Sequence, residues 1–411
     1  MTREELYNQG LESAKQNTRL AFLWSTGVGK SKMAIGIANY LSENNSELKV
    51  LLVVAETAHK DNWKEEFKKW KLNKKINITI ECYASLKNYQ NTQWDLIIFD
   101  EAHHLGSDLR LEMLRTISAQ NIILLSATLQ DQLLYALQNI FGQFKVSRVT
   151  LQDAIQWGIL PEPKIYLYAL TLDNTRYTET IIEEWGKKNK EISIHCTYSQ
   201  RWEYIKNRKK YPNIKLIISC TQQQKYDYLT TQFNHYKTLY LNTRQINFRN
   251  KWMQAGSVRK RFLGECKTVY AEHLINEFRK KNKRFICFCS SINQAEELGK
   301  ILKSKNNIIH SKKQKTQDII NKFNSKELNE LYCVSMLVEG QNLNNIEAGV
   351  IVQLDGEERV FLQKFGRVMR ADSPVQYIFY YKGTRDEEYL NKAIEGIDKK
   401  YIKVYETNNR Q

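Results

Sequence analysis

Apolar residues in this chain come in short runs set at regular intervals. The runs at 20–24 (LAFLW), 50–55 (VLLVVA), 95–99 (DLIIF) and 121–125 (NIILL) have the length of buried strands. Amphipathic stretches of helical length separate them, for example 31–43 and 59–71, and this alternation predicts a parallel α/β sheet. A second set follows at 284–289 (RFICFC), 307–310 (NIIH), 331–335 (LYCVS) and 349–354 (GVIVQL), again with helical stretches between, at 293–304 and 315–325. No sequence repeat relates the two halves. Residues 151–163 between them hold two of the four prolines, Pro161 and Pro163, a boundary signal. From 164 to 283 the pattern turns tyrosine-rich, basic and mostly helical. The expectation is an α/β domain over 1–150, a linker and helical insertion over 151–283, and a second α/β domain over 284–411 that ends in a helical tail.

Charge sharpens that division. The 411 residues carry a net charge of +17. Within 164–283 there are 24 Lys and Arg against 10 Asp and Glu, a net +14, which leaves +3 for the other 291 residues. A basic excess confined to one block suits a polyanion, because phosphate contacts release condensed counterions. The competing reading is a solvated Lys- and Asn-rich surface. Hydrophobic residues at 42% and charged residues at 26% are ordinary for a folded protein. No apolar run approaches the ~18 residues of a membrane span, and the first ten residues lack the apolar core of a signal peptide. The seven cysteines are scattered and never spaced C-x-x-C, so a reducing compartment is expected and structural zinc is not. A cytoplasmic protein of a bacterium or a phage-infected host fits this composition, and from the short ends no accessory nuclease or targeting domain is expected.

Three blocks of the first half carry chemistry. Ser25-Thr26-Gly27-Val28-Gly29-Lys30-Ser31 lies between the LAFLW strand and a helix, where backbone N–H groups cradle phosphates. Lys30 would reach the β- and γ-phosphates and the Ser31 hydroxyl a Mg²⁺ ion. Trp24 stands where the full pattern has its first glycine. Asp100-Glu101-Ala102-His103 ends the DLIIF strand, placing Asp100 to hold Mg²⁺ and Glu101 to polarise an attacking water. Ser126-Ala127-Thr128 follows the NIILL strand, with hydroxyls suited to coupling the nucleotide site to a partner.

In this order these blocks resemble motifs I, II and III of superfamily 2 helicases and translocases, and the second half resembles the remainder. Phe285–Ser291 is similar to motif IV, and Val334–Leu343, with its Glu339-Gly340-Gln341-Asn342-Leu343 core, to motif V. Gln363-Lys364-Phe365-Gly366-Arg367-Val368-Met369-Arg370 matches the Q-x-x-G-R-x-x-R of motif VI. The resemblance implies two RecA-like domains with ATP and Mg²⁺ between them. Thr26 to Ser31 and Gly340 would then be nucleotide-binding, and Ser31 and Asp100 metal-binding. It further implies that Glu101, Gln363, Arg367 and Arg370 are catalytic, and that His103, Ser126 and Thr128 couple hydrolysis to domain closure. Arg367 and Arg370, three apart on one helical face, would serve as arginine fingers.

Val53–Glu56, Asn62–Phe67 and Trp70 resemble motif Ia of Snf2-type, RecG-type and phage branch-migration translocases, and Ala154–Pro161 the linker after motif III in phage and restriction-type members. With a motif VI that begins on Gln rather than His, these features favour a DNA track over RNA. In the insertion, Arg244, Arg249, Lys251, Arg259, Lys260 and Arg261 lie beside Phe248 and Trp252. A helix there would put Arg249, Trp252 and Arg259 near one face, to grip a phosphate backbone with one stacking ring. The nucleic-acid set is thus Arg244, Arg249, Trp252, Arg259, Lys260 and Arg261. An RNA helicase or remodeller stays open, as does a non-hydrolysing nucleic-acid-binding component whose loop Trp24 has spoiled.

Overall fold

The computed structural model describes residues 1–43, 47–184, 192–207, 209–210, 213–312, 316–334, 343, 345–356 and 358–407. The four apolar runs of the first half become strands β1 (Arg19–Trp24), β2 (Leu48–Val54), β4 (Gln93–Asp100) and β5 (Ser118–Ser126), joined by β3 (Ile76–Cys82) and β6 (Lys145–Val149). They form a parallel sheet in the order β3-β2-β4-β5-β1-β6. Successive side chains of a strand face opposite ways. Val50, Leu52, Leu96 and Ile98 therefore pack under the helices Arg3–Gln16, Lys30–Glu43 and Thr57–Lys69, while Leu51, Val53, Ile97 and Phe99 join the opposite core with Leu114, Leu134 and Leu137.

The second sheet is also parallel, in the order β12-β13-β11-β14-β15-β7-β16. It combines β11 (Phe285–Cys289), β12 (Ile308–Ile309), β13 (Glu330–Val334), β14 (Ala348–Ile351) and β15 (Val375–Tyr381) with β7 (Lys164–Leu170) and β16 (Ile402–Glu406). Two of these differ from the sequence expectation. Residues 164–170, read as the start of the insertion, pair with β15 from Lys164↔Val375 to Leu170↔Tyr381. Ile165, Leu167 and Ala169 supply the buried face that fixes this register. The tail read as helical contains the helix Arg385–Ala393 and then β16, which closes the edge of the sheet on β7. Both halves are RecA-like parallel α/β domains.

The segment between β7 and β11 is not wholly helical either. Strands β8 (Tyr177–Glu184), β9 (Ile192–Cys196) and β10 (Asn213–Cys220) make a small mixed sheet in the order β8-β10-β9. Two long helices, Gln222–Thr243 and Ile246–Cys266, then form an antiparallel hairpin, turned at Arg244 with φ of 54°. The hairpin base is tied to the second domain by a fully buried pair. Lys267 Nζ lies 2.5 Å from Asp386 Oδ2 and donates to Gln353 Oε1, while Gln353 Nε2 donates to Asp386 Oδ1.

Ala154, Ile155, Ile159 and Leu160 of the 151–160 segment join one apolar cluster with residues of both sheets. The two domains are thus packed through the linker. Among the described residues no helix is long and apolar enough to cross a membrane, no cluster of His, Cys, Asp and Glu suits a metal cage, and every cysteine is free.

Candidate nucleotide cleft and basic hairpin

The loop between β1 and the helix Lys30–Glu43 is built by its glycines. Gly27 (φ 87°) and Gly29 (φ 119°) occupy backbone conformations that side chains disfavour, and a Cβ on Gly27 would meet Leu160 at 3.1 Å. Lys30 donates to the Trp24 carbonyl across 2.8 Å. Trp24 itself does not fill the loop. Its indole is 2% exposed, packs edge-on against Phe22 and donates to Ser147 Oγ on β6. The departure from the glycine pattern is therefore absorbed by the core, and only the backbone of Trp24 meets the loop.

Asp100 and Glu101 sit at the carboxyl end of β4, the end at which open parallel sheets bind ligands. Trp63 Nε1 donates to Asp100 Oδ2 at 2.8 Å, the Glu101 amide to Oδ1 at 3.1 Å, and Tyr83 Oη to the Asp100 carbonyl at 2.7 Å. Burial, reinforced by the Glu101 charge, pushes the Asp100 carboxyl up to about 6, against the pull of Trp63 and Lys30. The same burial draws the Lys30 ammonium below its usual range, opposed by Glu101 and Asp100. Glu101 holds a left-handed backbone with φ of 51°, a strained position for a non-glycine residue. His103 Nδ1 lies 3.3 Å from Glu101 Oε2 and 3.2 Å from Ser126 Oγ, which in turn accepts from the Thr128 amide. Glu101, His103, Ser126 and Thr128 thus form one connected chain of polar groups, whose far end, the Thr128 hydroxyl, is buried without a partner among the described residues.

The second domain faces this site with the helix Glu358–Val368. Gln363 and Arg367 lie on it, whereas Arg370 falls in the turn beyond its end rather than on the helical face expected. All three line a cleft of about 830 Å³ together with Thr26, Gly27, Gly29, Lys30, Ser31, Asp100 and Glu101. Arg370 is reached by water yet crowded by the cleft walls. That crowding lowers its pKa, and Glu66 opposes the shift. The domains meet closely at one point, since a Cβ on Gly366 would lie 2.7 Å from the Thr26 Cβ. Gly340 lies outside the described residues, as does most of the Val334–Leu343 block. The loop glycines leave room for phosphates. One partly buried carboxylate and one hydroxyl, Asp100 and Ser31, suit Mg²⁺, which would keep water and phosphate oxygens as its other ligands.

Sequence reasoning missed one wall of the cleft. The helix Thr57–Lys69, whose residues 62–67 resemble part of a translocase motif Ia, lines it with His59, Asn62, Trp63, Glu66 and Lys69. Arg3, whose guanidinium donates to the Ile159 carbonyl, lines it from the first helix. The spacing of Trp63 within 53–70 gave no sign of its bond to Asp100, because β2 and β4 become neighbours only in the sheet.

The hairpin divides the expected nucleic-acid residues into two groups. Arg244, Arg249 and Arg261 are exposed, as is Lys251. Arg259 is instead 5% exposed, with its guanidinium 4.2 Å from the Phe233 ring centroid and Nη1 on Thr230 Oγ1. Trp252 packs against Phe233 and Tyr240 of the partner helix. Positions 252, 256, 259 and 263 follow the helical repeat and form the seam of the hairpin, so Trp252 and Arg259 face inward, not toward solvent. Lys260 is half-buried and bonds Asp355 Oδ1 at 2.6 Å, while Lys364 holds Oδ2 at 2.7 Å.

Two parallel α/β domains that share a phosphate loop, a carboxylate pair and opposing arginines define a two-domain RecA-like nucleotide-driven motor. Residues 2–131 match the family model of the res subunit of type III restriction enzymes, and residues 267–372 that of the helicase conserved C-terminal domain. No curated protein matches the sequence. Among solved structures, the ATP-dependent Type ISP restriction-modification enzyme LlaBIII bound to DNA is 12% identical over 100% of this chain, with a TM-score of 0.57, and the match spans 31% of that enzyme. Mss116p bound to ssRNA and AMP-PNP is 13% identical over 97% of this chain and 73% of its own, with a TM-score of 0.57. S. cerevisiae Dbp5 bound to RNA and ADP BeF3 is 11% identical over 95% and 86%, with a TM-score of 0.53. At such identities these three speak for the fold alone. The chain belongs to helicase superfamily 2. Its helicase domains imply an ATP-hydrolysing enzyme that binds nucleic acid.

Proposed function

We propose that this chain is a DNA-dependent ATPase that translocates on duplex or branched DNA. The observation that carries the proposal is the cleft itself, in which Lys30, Asp100 and Glu101 of one domain face Gln363, Arg367 and Arg370 of the other. Lys30 exchanges the Trp24 carbonyl for the β- and γ-phosphates of ATP. When bound between Ser31 and Asp100, Mg²⁺ supplies charge neutralisation at those phosphates. Glu101 takes a proton from water as its oxygen bonds the γ-phosphorus and the bond to the bridging oxygen breaks, releasing ADP and phosphate. Gln363 orients that water, and Arg367 and Arg370 balance the charge that develops on the transferred group. The buried Trp24 ring supports turnover over the non-hydrolysing alternative.

The exposed Arg244, Lys251, Arg249 and Arg261 of the hairpin would grip the phosphate backbone. Lys260 and Lys364 share Asp355, so the hairpin is bonded to the helix that carries Gln363 and Arg367. That link offers a route by which DNA on the hairpin biases closure of the cleft. The restriction-subunit match to the first domain and the translocase-like block at 53–70 support DNA as the track. The test is ATP hydrolysis with single-stranded DNA, duplex DNA, a four-way junction or RNA, with Glu101→Gln as control. Stimulation chiefly by duplex or junction is expected; stimulation by RNA alone would transfer the assignment to an RNA remodeller.

A further inference from the structure

The helix Thr57–Lys69 turns a histidine into the nucleotide cleft. His59 lies one helical turn before Trp63, the residue whose indole holds Asp100, so the two share a face. The imidazole is 7% exposed, yet neither Nδ1 nor Nε2 has a hydrogen-bond partner among the described residues. Buried polar atoms are paired in roughly nine cases of ten or more, and one left open beside a cavity points to a ligand that pairs it. A histidine kept only for packing would do better as an apolar ring, which loses no hydrogen bond on leaving water. The charged and titratable groups that act on it are Glu101, Arg367 and His104. His59 lines the same cleft as Glu101 of one domain and Arg367 of the other. Burial lowers its pKa, against the pull of Glu101 and together with Arg367 and His104. At neutral pH the ring is uncharged, with one N–H donor and one acceptor nitrogen.

We infer that His59 is a further residue of the hydrolytic site, donating a hydrogen bond from its imidazole N–H to the γ-phosphate end of a bound nucleoside triphosphate. This rests on the function proposed above. A neutral donor stabilises charge that grows on the phosphate oxygens without repelling Arg367, as an imidazolium would. The donor is already desolvated before the nucleotide arrives, which makes the interaction stronger than the same bond in water. Such a contact is worth most when the phosphoryl group is in flight, so His59 should matter more for the transition state than for ADP.

The test compares wild type with His59→Phe and His59→Gln by calorimetric titration with ADP·Mg²⁺ alone and with added aluminium fluoride. Lys30→Ala serves as a comparator that should lose both ligands. Wild type should bind the fluoride complex more tightly than ADP. His59→Phe should lose on the order of 100-fold of that gain, with ADP affinity and melting temperature unchanged, and His59→Gln should recover part of it through its amide donor. A His59→Phe protein that keeps the full gain would overturn the inference. So would parallel loss of ADP and fluoride-complex binding with a lowered melting temperature, the mark of a packing role. A wild type that binds neither ligand would refute the ATPase reading itself, and is distinguishable from both.

Discussion

The nucleotide cleft and the basic hairpin use charge in opposite ways. In the cleft, Lys30, Asp100 and Glu101 are gathered at close quarters, and burial together with the Glu101 charge pushes Asp100 up to about 6. On the hairpin, Arg244, Arg249 and Arg261 stand in solvent, while Trp252 and Arg259 are packed into the helical seam. Desolvated groups have one correct geometry and tolerate no replacement. Solvated cations act as a sum, and each can be replaced at modest cost. On the proposed function, one region serves chemistry on a single phosphate group and the other a sequence-tolerant hold on many.

That contrast fixes the size of the effects that substitutions should have. The largest belong to the cleft. Glu101→Gln and Arg367→Ala should each lower kcat for ATP by about 1,000-fold, with DNA affinity by filter binding retained; near-normal turnover in either would remove that residue from the site. Next come the solvated cations. Replacing Arg244, Arg249 and Arg261 with Ala together should reduce the slope of log affinity against log salt by about 2 to 3. An unchanged slope would put the track elsewhere. Arg259→Ala breaks the comparison from the other side. It should leave the salt slope unchanged and instead cost roughly 1–2 kcal/mol of stability in urea, through lost packing on Phe233.

The smallest effect lies at the joint between the regions. Asp355→Asn should leave basal hydrolysis intact and reduce its stimulation by DNA about fivefold, within the usual range of coupling energies. Burial alone would raise the Asp355 carboxyl, but Lys364 and Lys260 outweigh it and hold it at about 2. The folded pKa lies below the unfolded value, so the stability it contributes is complete above about pH 4 and lost as pH falls toward 2. The shift corresponds to roughly 2 kcal/mol. Acid melts of wild type and Asp355→Asn should therefore converge over that window.

How far the sequence foretells the molecule depends on the range of the interaction. The phosphate loop was legible because strand, glycines, Lys30 and helix are consecutive, and their chemistry is local. The carboxylate pair was legible because β4 is a continuous apolar run that ends on Asp100. The place of β7 and β16 in the second sheet was not, since each finds its neighbour far along the chain: Lys164 pairs with Val375 and Ile402 with Ile165. The same holds for Trp63 on Asp100, which reads from sequence as part of a translocase-like motif Ia, and for His59, which belongs to no sequence motif, since only the pairing of β2 with β4 brings their helix over the cleft. On the hairpin the charge excess was legible as a sum. Which cations face water was not, because the seam depends on which face of Ile246–Cys266 meets the helix Gln222–Thr243.

On the proposed function, one cleft hydrolyses ATP and nucleic acid on the hairpin sets its rate. That coupling is read from the ratio of duplex-stimulated to basal ATP hydrolysis in wild type and in the Arg244, Arg249 and Arg261 triple-alanine protein. The triple variant should keep a basal rate equal to that of wild type and show a stimulation reduced at least tenfold at ~0.15 M salt, where three lost phosphate contacts weigh heavily. A triple variant still stimulated as strongly as wild type, at the same duplex concentration, would contradict it.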